Sequence, residues 1–492
     1  MWIWSFFPDR KRSLSDLLIT PHAARAVDFP EGRGTKSLLA FLLGMAVILG
    51  AIVAGKSYAF FITFLAFSLL MTLVWRKNPF AWIFLVSVSA ATPIAISKQQ
   101  FACNVVFAIW FAAINTRYLF KLPKWIYVPT FLAIVGIFTS SINWMSSNVT
   151  GSLMRQGAYA FNFLLAPFLL LPVVYLRMRE SLDHDAKLQG LLFYLIVPST
   201  LILLAAKSFG SVANAWEASL HVDSLSEGFL QYKLGQVVVN FSRTAVGFIL
   251  ASLICAAAAV TISPVKSSYR LAAGACLAIN VYLLLSTGSF GSAFACMCGL
   301  LAIFYKQFRS VSAGKVLVSL GVIVGLLFLT YVLSPPSLKK YLAKRYEHRV
   351  TNADTDRFAL WERGVDQLFR HPEGVGFTLA AGEKEKTFVH NDYIAYSISY
   401  GLMGGMAYAL LAGGVLIFFL RRRTSSVPGP SALAVYLAGL GVIIVITING
   451  ITDHSNENRW YFNLMWSLIW YSYFCSRTER KDGVQNGVQQ KT

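Results

Sequence analysis

An all-α, polytopic membrane protein is the fold class this sequence predicts, and three observations predict it. Hydrophobic residues make up 56% of the 492-residue chain and charged residues only 13%, a balance foreign to soluble globular chains of this length. The apolar residues fall in runs of roughly 17 to 25, the length that crosses a bilayer core. The net charge of +20 is gathered in short links between those runs, as membrane topology requires.

The elements follow in chain order. Residues 1–36 form a basic N-terminal segment with Arg10, Lys11, Arg12, Arg25, Arg33 and Lys36. Trp2, Trp4, Phe6 and Phe7 suit the lipid interface beside that charge. No cleavable signal peptide is expected, because the first long apolar run lies too far in and leads into further spans. Residues 37–333 hold apolar runs near 37–54, 57–75, 79–97, 101–116, 125–143, 158–176, 188–206, 236–262, 269–286, 289–305 and 315–333. The pair 269–286 and 289–305 is separated by a tight Thr287-Gly288-Ser289 turn. Residues 334–400 are a long polar segment in which Phe358, Leu360, Trp361, Val365 and Phe369 have partial helical spacing, predicting amphipathic helices lying over the membrane. Residues 401–475 carry the last runs, near 402–420, 431–449 and 459–475, and residues 476–492 read as a disordered inner tail. The count is about fourteen spans, or about twelve if the first pair is a peripheral addition.

Charge distribution orients this arrangement. With the N-terminus in the cytoplasm, inner segments hold about 26 of the Lys and Arg residues and the short outer ones about seven. The inner clusters include Arg76-Lys77, Arg117/Lys121/Lys124, Arg177/Arg179/Lys187, Lys306/Arg309/Lys315 and Arg421-Arg422-Arg423. Alternation places both termini inside and the segment 334–400 outside.

Several function classes are disfavoured. No basic and aromatic stripe suggests a nucleic-acid groove, so nucleic acid is not an expected partner. The six cysteines, Cys103, Cys255, Cys276, Cys296, Cys298 and Cys475, fall in or at the edge of apolar runs and read as small packing residues. There is no Walker-type loop, no HExxH pair and no G-x-S-x-G elbow. A transporter of lipid-linked glycans is the less favoured alternative, since it would place ionisable residues in mid-span and these runs hold essentially none away from their ends.

Chemistry concentrates where the long polar segment meets the apolar run that follows it. The pair His390-Asn391, which opens His390-Asn391-Asp392-Tyr393, is followed after nine intervening residues by Gly401-Leu402-Met403-Gly404. A histidine at a water–membrane boundary titrates near neutrality and can exchange protons with a substrate. Asn391 and Asp392 are candidates to orient its ring or hold an acceptor hydroxyl, and Gly401 and Gly404 permit close helix approach. Arg243, in Asn240-Phe241-Ser242-Arg243-Thr244-Ala245, sits at the outer end of an apolar run, where an unpaired arginine is costly unless it serves a ligand. Its guanidinium fork suits the oxygens of a lipid diphosphate. Arg345 and Arg349, four apart, would project from one side of a helix and supply a second clamp. Arg357, Trp361 and His371-Pro372-Glu373-Gly374-Val375-Gly376 lie in the same polar segment. Arg155, Asp453, His454, Glu457 and Arg459 are lesser candidates, as interfacial charges. Asp354-Thr355-Asp356 spells a metal-ligand pair but reads as the lead-in to Arg357, so no metal is favoured.

The His390–Gly404 spacing resembles the signature of the bacterial O-antigen ligase and polymerase family, with softer similarity over roughly residues 236–420. Where family members often carry Ser-Arg-Gly at a turn between spans, this chain has Ser286-Thr287-Gly288-Ser289-Phe290-Gly291, with Phe290 in place of arginine. The resemblance implies a metal- and cofactor-independent, inverting glycosyltransferase of GT-C-like architecture in the bacterial inner membrane, with its site on the periplasmic side. The donor implied is an undecaprenyl-diphosphate-linked glycan. The acceptor implied is a lipid A–core sugar in a ligase, favoured here, or another lipid-linked repeat in a polymerase. In either case His390 is the implied base and Arg243, Arg345 and Arg349 the implied diphosphate ligands. Arg357, Trp361 and the Pro372–Gly376 turn, which resemble the family's run of Arg, Trp and Pro-Gly-Gly, are implied to build the site's wall. Arg363 and Gly374 also fit a spacing seen in some polymerases.

Overall fold

The structure, a computed structural model, describes residues 116–146, 165–179, 184–208, 229–234, 237–308, 355–376, 391–452 and 459–477, with a few isolated positions besides. The predicted runs up to residue 115 lie outside the described residues, as does 315–333 apart from isolated positions. In chain order come α1 (Lys124–Ser146), α2 (Leu171–Arg179, continuing a π-helical turn Leu165–Leu170), α3 (Ala186–Ser208), strands β1 (Phe229–Leu234) and β2 (Val237–Ser242), α4 (Arg243–Ile262), α5 (Ser267–Thr287) and α6 (Phe290–Phe308). Then follow α7 (Thr355–Arg370), α8 (Asp392–Arg421), α9 (Gly429–Thr452) and α10 (Arg459–Cys475). Among the described residues seven helices, α1, α3, α4, α5, α6, α8 and α9, are long and apolar enough to cross a membrane. The seventeen residues of α10 sit at the lower edge of a spanning length.

α4 is the central helix. Its row Ala256, Ala257, Ala258 and Ala259 is buried throughout, and small side chains let α5, α6 and α9 pack against it. The closest approach is at Gly299 of α6 and Gly441 of α9. A Cβ on Gly299 would lie 2.7 Å from the Cys255 sulfur and 3.0 Å from the Gly441 carbonyl. Cys255, Cys276, Cys296, Cys298 and Cys475 are free thiols within this packing, the packing role their sequence setting suggested. α1, in contrast, leaves Phe131, Phe138, Ile142 and Met145 exposed along one side, as a helix facing lipid does.

The short α5–α6 turn is present. Gly288 takes φ 62°, its amide donates to the Leu285 carbonyl, and the next helix begins at Phe290. A residue with a side chain is disfavoured in that left-handed conformation, which is why the chain reverses there.

Two expectations are corrected. Residues 237–242, read as the start of the 236–262 span, are a strand paired antiparallel with β1 in the register Leu234↔Val237 to Phe229↔Ser242. The β-branched run Val237-Val238-Val239 favours extended backbone, and apolar content alone does not separate strand from helix. The helix therefore starts at Arg243 itself. The run 402–420 is likewise only the second half of α8, which begins ten residues earlier and is broken at Tyr400–Gly401.

The basic clusters predicted to share one side meet at one end of the bundle. Arg117, Lys121 and Arg177 lie over the Tyr118 ring at 5.2, 4.8 and 5.5 Å. Lys306 donates to the Arg422 carbonyl at the end of α8, and Arg422 donates to the Ser476 carbonyl. Burial, with the like charges of Arg477 and Arg179, holds the Arg422 guanidinium below its ordinary pKa. The opposite end of the bundle carries the break in α8.

Candidate active site

The site is built around an interruption in a membrane helix. At Tyr400 (φ −119°, ψ 20°) and Gly401 (φ 70°, ψ 179°) α8 leaves helical geometry, and carbonyls one turn earlier lose their intrahelical partners. The turn that follows α7 fills the gap. Val375 donates its amide to the Ile398 carbonyl at 2.9 Å and Gly376 to Ser399 at 3.0 Å. Leu402 returns a bond to the Pro372 carbonyl at 2.9 Å. Only glycine fits on both sides: a Cβ on Gly374 (φ 90°) would meet the Gly401 nitrogen, and one on Gly401 the backbone of Pro372 and Glu373.

α1 fastens the same turn from another side. The Asn143 amide donates to the Glu373 carboxylate at 3.1 Å and to the Gly374 carbonyl at 2.8 Å. The Thr139 hydroxyl reaches the Glu373 carbonyl at 3.3 Å, and His371 Nδ1 lies 3.5 Å from Glu373 Oε1. One turn deeper α1 crosses α8 at Gly136, where a Cβ would stand 2.4 Å from the Tyr400 carbonyl and 2.8 Å from the Gly404 nitrogen. The polar segment thus enters the membrane helices through a backbone junction of α1, α8 and residues 371–376.

The start of α8 is fixed separately. Asn391 caps it: its side-chain oxygen accepts from the Tyr393 and Ile394 amides at 3.0 and 3.1 Å. Its amide donates to the Ile451 carbonyl at the end of α9, at 3.3 Å. Asp392 occupies the first turn, 2% exposed, where a carboxylate is favoured by the unpaired amides of the helix start. The α9 backbone passes beside it, a Cβ on Gly450 falling 3.4 Å from the Asp392 carboxylate. Beneath lies an aromatic layer, the Tyr396 ring tilted against Tyr408 at 4.6 Å and against Phe163 at 4.4 Å.

Residues 272–409 match the family model described as Wzy_C, O-antigen ligase. The chain carries an O-antigen ligase domain. That domain runs from α5 through the break in α8 of this multi-pass chain, and its family, of ligases and polymerases, implies an enzyme acting on lipid-linked glycans. No curated protein matches the chain.

The sequence-derived candidates fall as follows. Asn391, Asp392, Gly401 and Gly404 lie together in the first half of α8 and at its break, inside the O-antigen ligase domain. Asn391 is engaged through both side-chain atoms as cap and tether, so it supports the site rather than offering a free hydroxyl partner. Arg243 is the first residue of α4 and precedes the matched segment. One helical turn on, Gly247 packs against Ser289 and Ser292 of the α5–α6 turn, so Arg243 stands at the same end of the bundle as the break. Arg357 lies in the first turn of α7. His390, Arg345 and Arg349 lie outside the described residues, as do Arg155, Asp453, His454 and Glu457.

Sequence reasoning missed Thr139 and Asn143. Their only signal was a hydroxyl and an amide near the C-terminal end of an otherwise apolar run, one turn apart on the same face. Without knowledge of the turn opposite, that pattern is indistinguishable from interfacial trim.

Proposed function

We propose that the chain is an O-antigen ligase, transferring a glycan from undecaprenyl diphosphate to a lipid A–core sugar at the periplasmic face of the inner membrane. The observation that carries this reading is the O-antigen ligase match over 272–409, which contains the capped start of α8 and its break, with His390 directly before the cap in sequence. A fixed start to α8, capped by Asn391 and held to α9, is the support a base at position 390 needs for reproducible aim.

In the reaction the acceptor hydroxyl gives its proton to the neutral imidazole of His390 while its oxygen attacks the anomeric carbon of the donor sugar. The bond from that carbon to the diphosphate oxygen breaks on the opposite face, inverting the centre, and undecaprenyl diphosphate leaves. Arg243, Arg345 and Arg349 neutralise the charge that grows on the leaving group. Arg357, Asn391, Asp392, Gly401 and Gly404 shape and hold the site. No metal and no cofactor enters this scheme.

The test is to disrupt the gene and separate the cell's lipopolysaccharide on a gel. Loss of the ladder on lipid A–core with carrier-linked polymer retained supports the ligase. Loss of graded chain length on the carrier itself selects a polymerase using lipid-linked repeats, and an unchanged pattern rejects both.

A further inference from the structure

The apolar residues of α7 divide into two adjoining sectors of the helix, and among the described residues only one of them is covered. Trp361 packs inward on Val375 and Ile398, beside Ile394, fixing α7 against the first half of α8. Phe358, whose ring meets Trp361 edge-on at 5.4 Å, Val365 and Phe369 lie outside that cluster, 66%, 37% and 81% exposed. Offsets of seven and eleven residues return to one line on a 3.6-residue helix, so these three form a single outward stripe. Beyond it, round the helix, the exposed residues are Glu362, Arg363, Asp366 and Arg370.

What covers the stripe follows from where α7 is tied. Its end passes directly into the turn held by Asn143 of α1 and by the break in α8. Both partners are membrane-spanning helices, and both present exposed apolar side chains at that level: Ile142 and Met145 on α1, Leu402 and Met403 on α8. The lipid-facing surface of the bundle therefore reaches the junction, and the stripe on α7 begins where that surface ends.

We infer that α7 is an interfacial helix, lying in the bilayer leaflet at the break end of the bundle with Phe358, Val365 and Phe369 among the lipid acyl chains. Trp361 faces the protein, the stripe faces lipid, and the charged side faces headgroups and water, the three-way partition such a helix needs. This sets the height of the junction, and of the start of α8, at the level of the lipid headgroups. The inference does not depend on which glycan is moved.

The test places the photoreactive residue p-benzoylphenylalanine at position 358, 365 or 369 of the full chain, and at 363 or 366 as controls, in membranes with phospholipid radiolabelled in its acyl chains. All five positions are exposed, so folding is not at risk. Irradiation should transfer several-fold more lipid label to the stripe positions than to the controls. Equal labelling at both sets overturns the inference, as does a stripe that cross-links two copies of the chain or another protein in place of lipid.

Discussion

Gly374 and Gly401 stand on the two sides of one backbone contact that leaves no room for a side chain on either. A Cβ on Gly374 would lie 2.4 Å from the Gly401 nitrogen, and one on Gly401 would lie 2.7 Å from the Pro372 carbonyl oxygen. The two residues are the point at which the polar segment and the membrane helix become one structure.

Gly401→Ala should therefore destabilise by about 2 kcal/mol or more, combining a backbone region reserved for glycine with direct overlap. Gly374→Ala should behave similarly. Because both act on one contact, the double variant should cost clearly less than the sum. Thermal unfolding of the detergent-solubilised variants measures this. Additive losses would mean the two glycines serve separate places.

Asn143→Ala removes two hydrogen bonds from α1 to the turn, worth about 1–3 kcal/mol together. Hydrogen exchange at Val375 and Gly376, whose amides fill the break in α8, should accelerate by at least about tenfold. Unchanged protection would show that α8 alone holds the turn.

Asn391→Ala should cost about 1 kcal/mol through loss of the cap. Asn391→Asp keeps an oxygen for the Tyr393 and Ile394 amides but loses the donor to Ile451. It should recover most of the stability while leaving transfer impaired, if the tie to α9 positions the start of α8. Equal transfer by Asn391→Asp and the parent enzyme would remove that positioning role.

Arg243→Ala should weaken the diphosphate donor, raising its KM about tenfold or more, as loss of a charge-assisted contact does. Steady-state transfer at varied donor concentration measures it. An unchanged KM would remove Arg243 from the clamp.

The helical plan was legible because spanning helices must be long and apolar, and because basic residues concentrate in alternate links between them. The bounds of α10 and the one-glycine reversal at Gly288 could be read directly from such patterns. The β1–β2 hairpin was not, since Val237-Val238-Val239 satisfies an apolar-run criterion in either backbone state. Gly401 and Gly404 were legible as sites of close approach. Their partners were not, because Gly136, Asn143 and Gly374 lie far away in sequence and carry no local signal of pairing. The division of α7 was hidden for a related reason: periodicity marks Phe358, Trp361 and Phe369 alike as apolar, while only the packed structure tells protein-facing from outward-facing.

The central claim is that His390 takes the acceptor's proton. Its most direct test is single-turnover transfer of a labelled glycan from undecaprenyl diphosphate in proteoliposomes, comparing the parent chain with His390→Ala at saturating donor. Transfer should slow by about 100- to 10,000-fold with donor affinity retained. A variant that transfers at the parent rate would contradict the account.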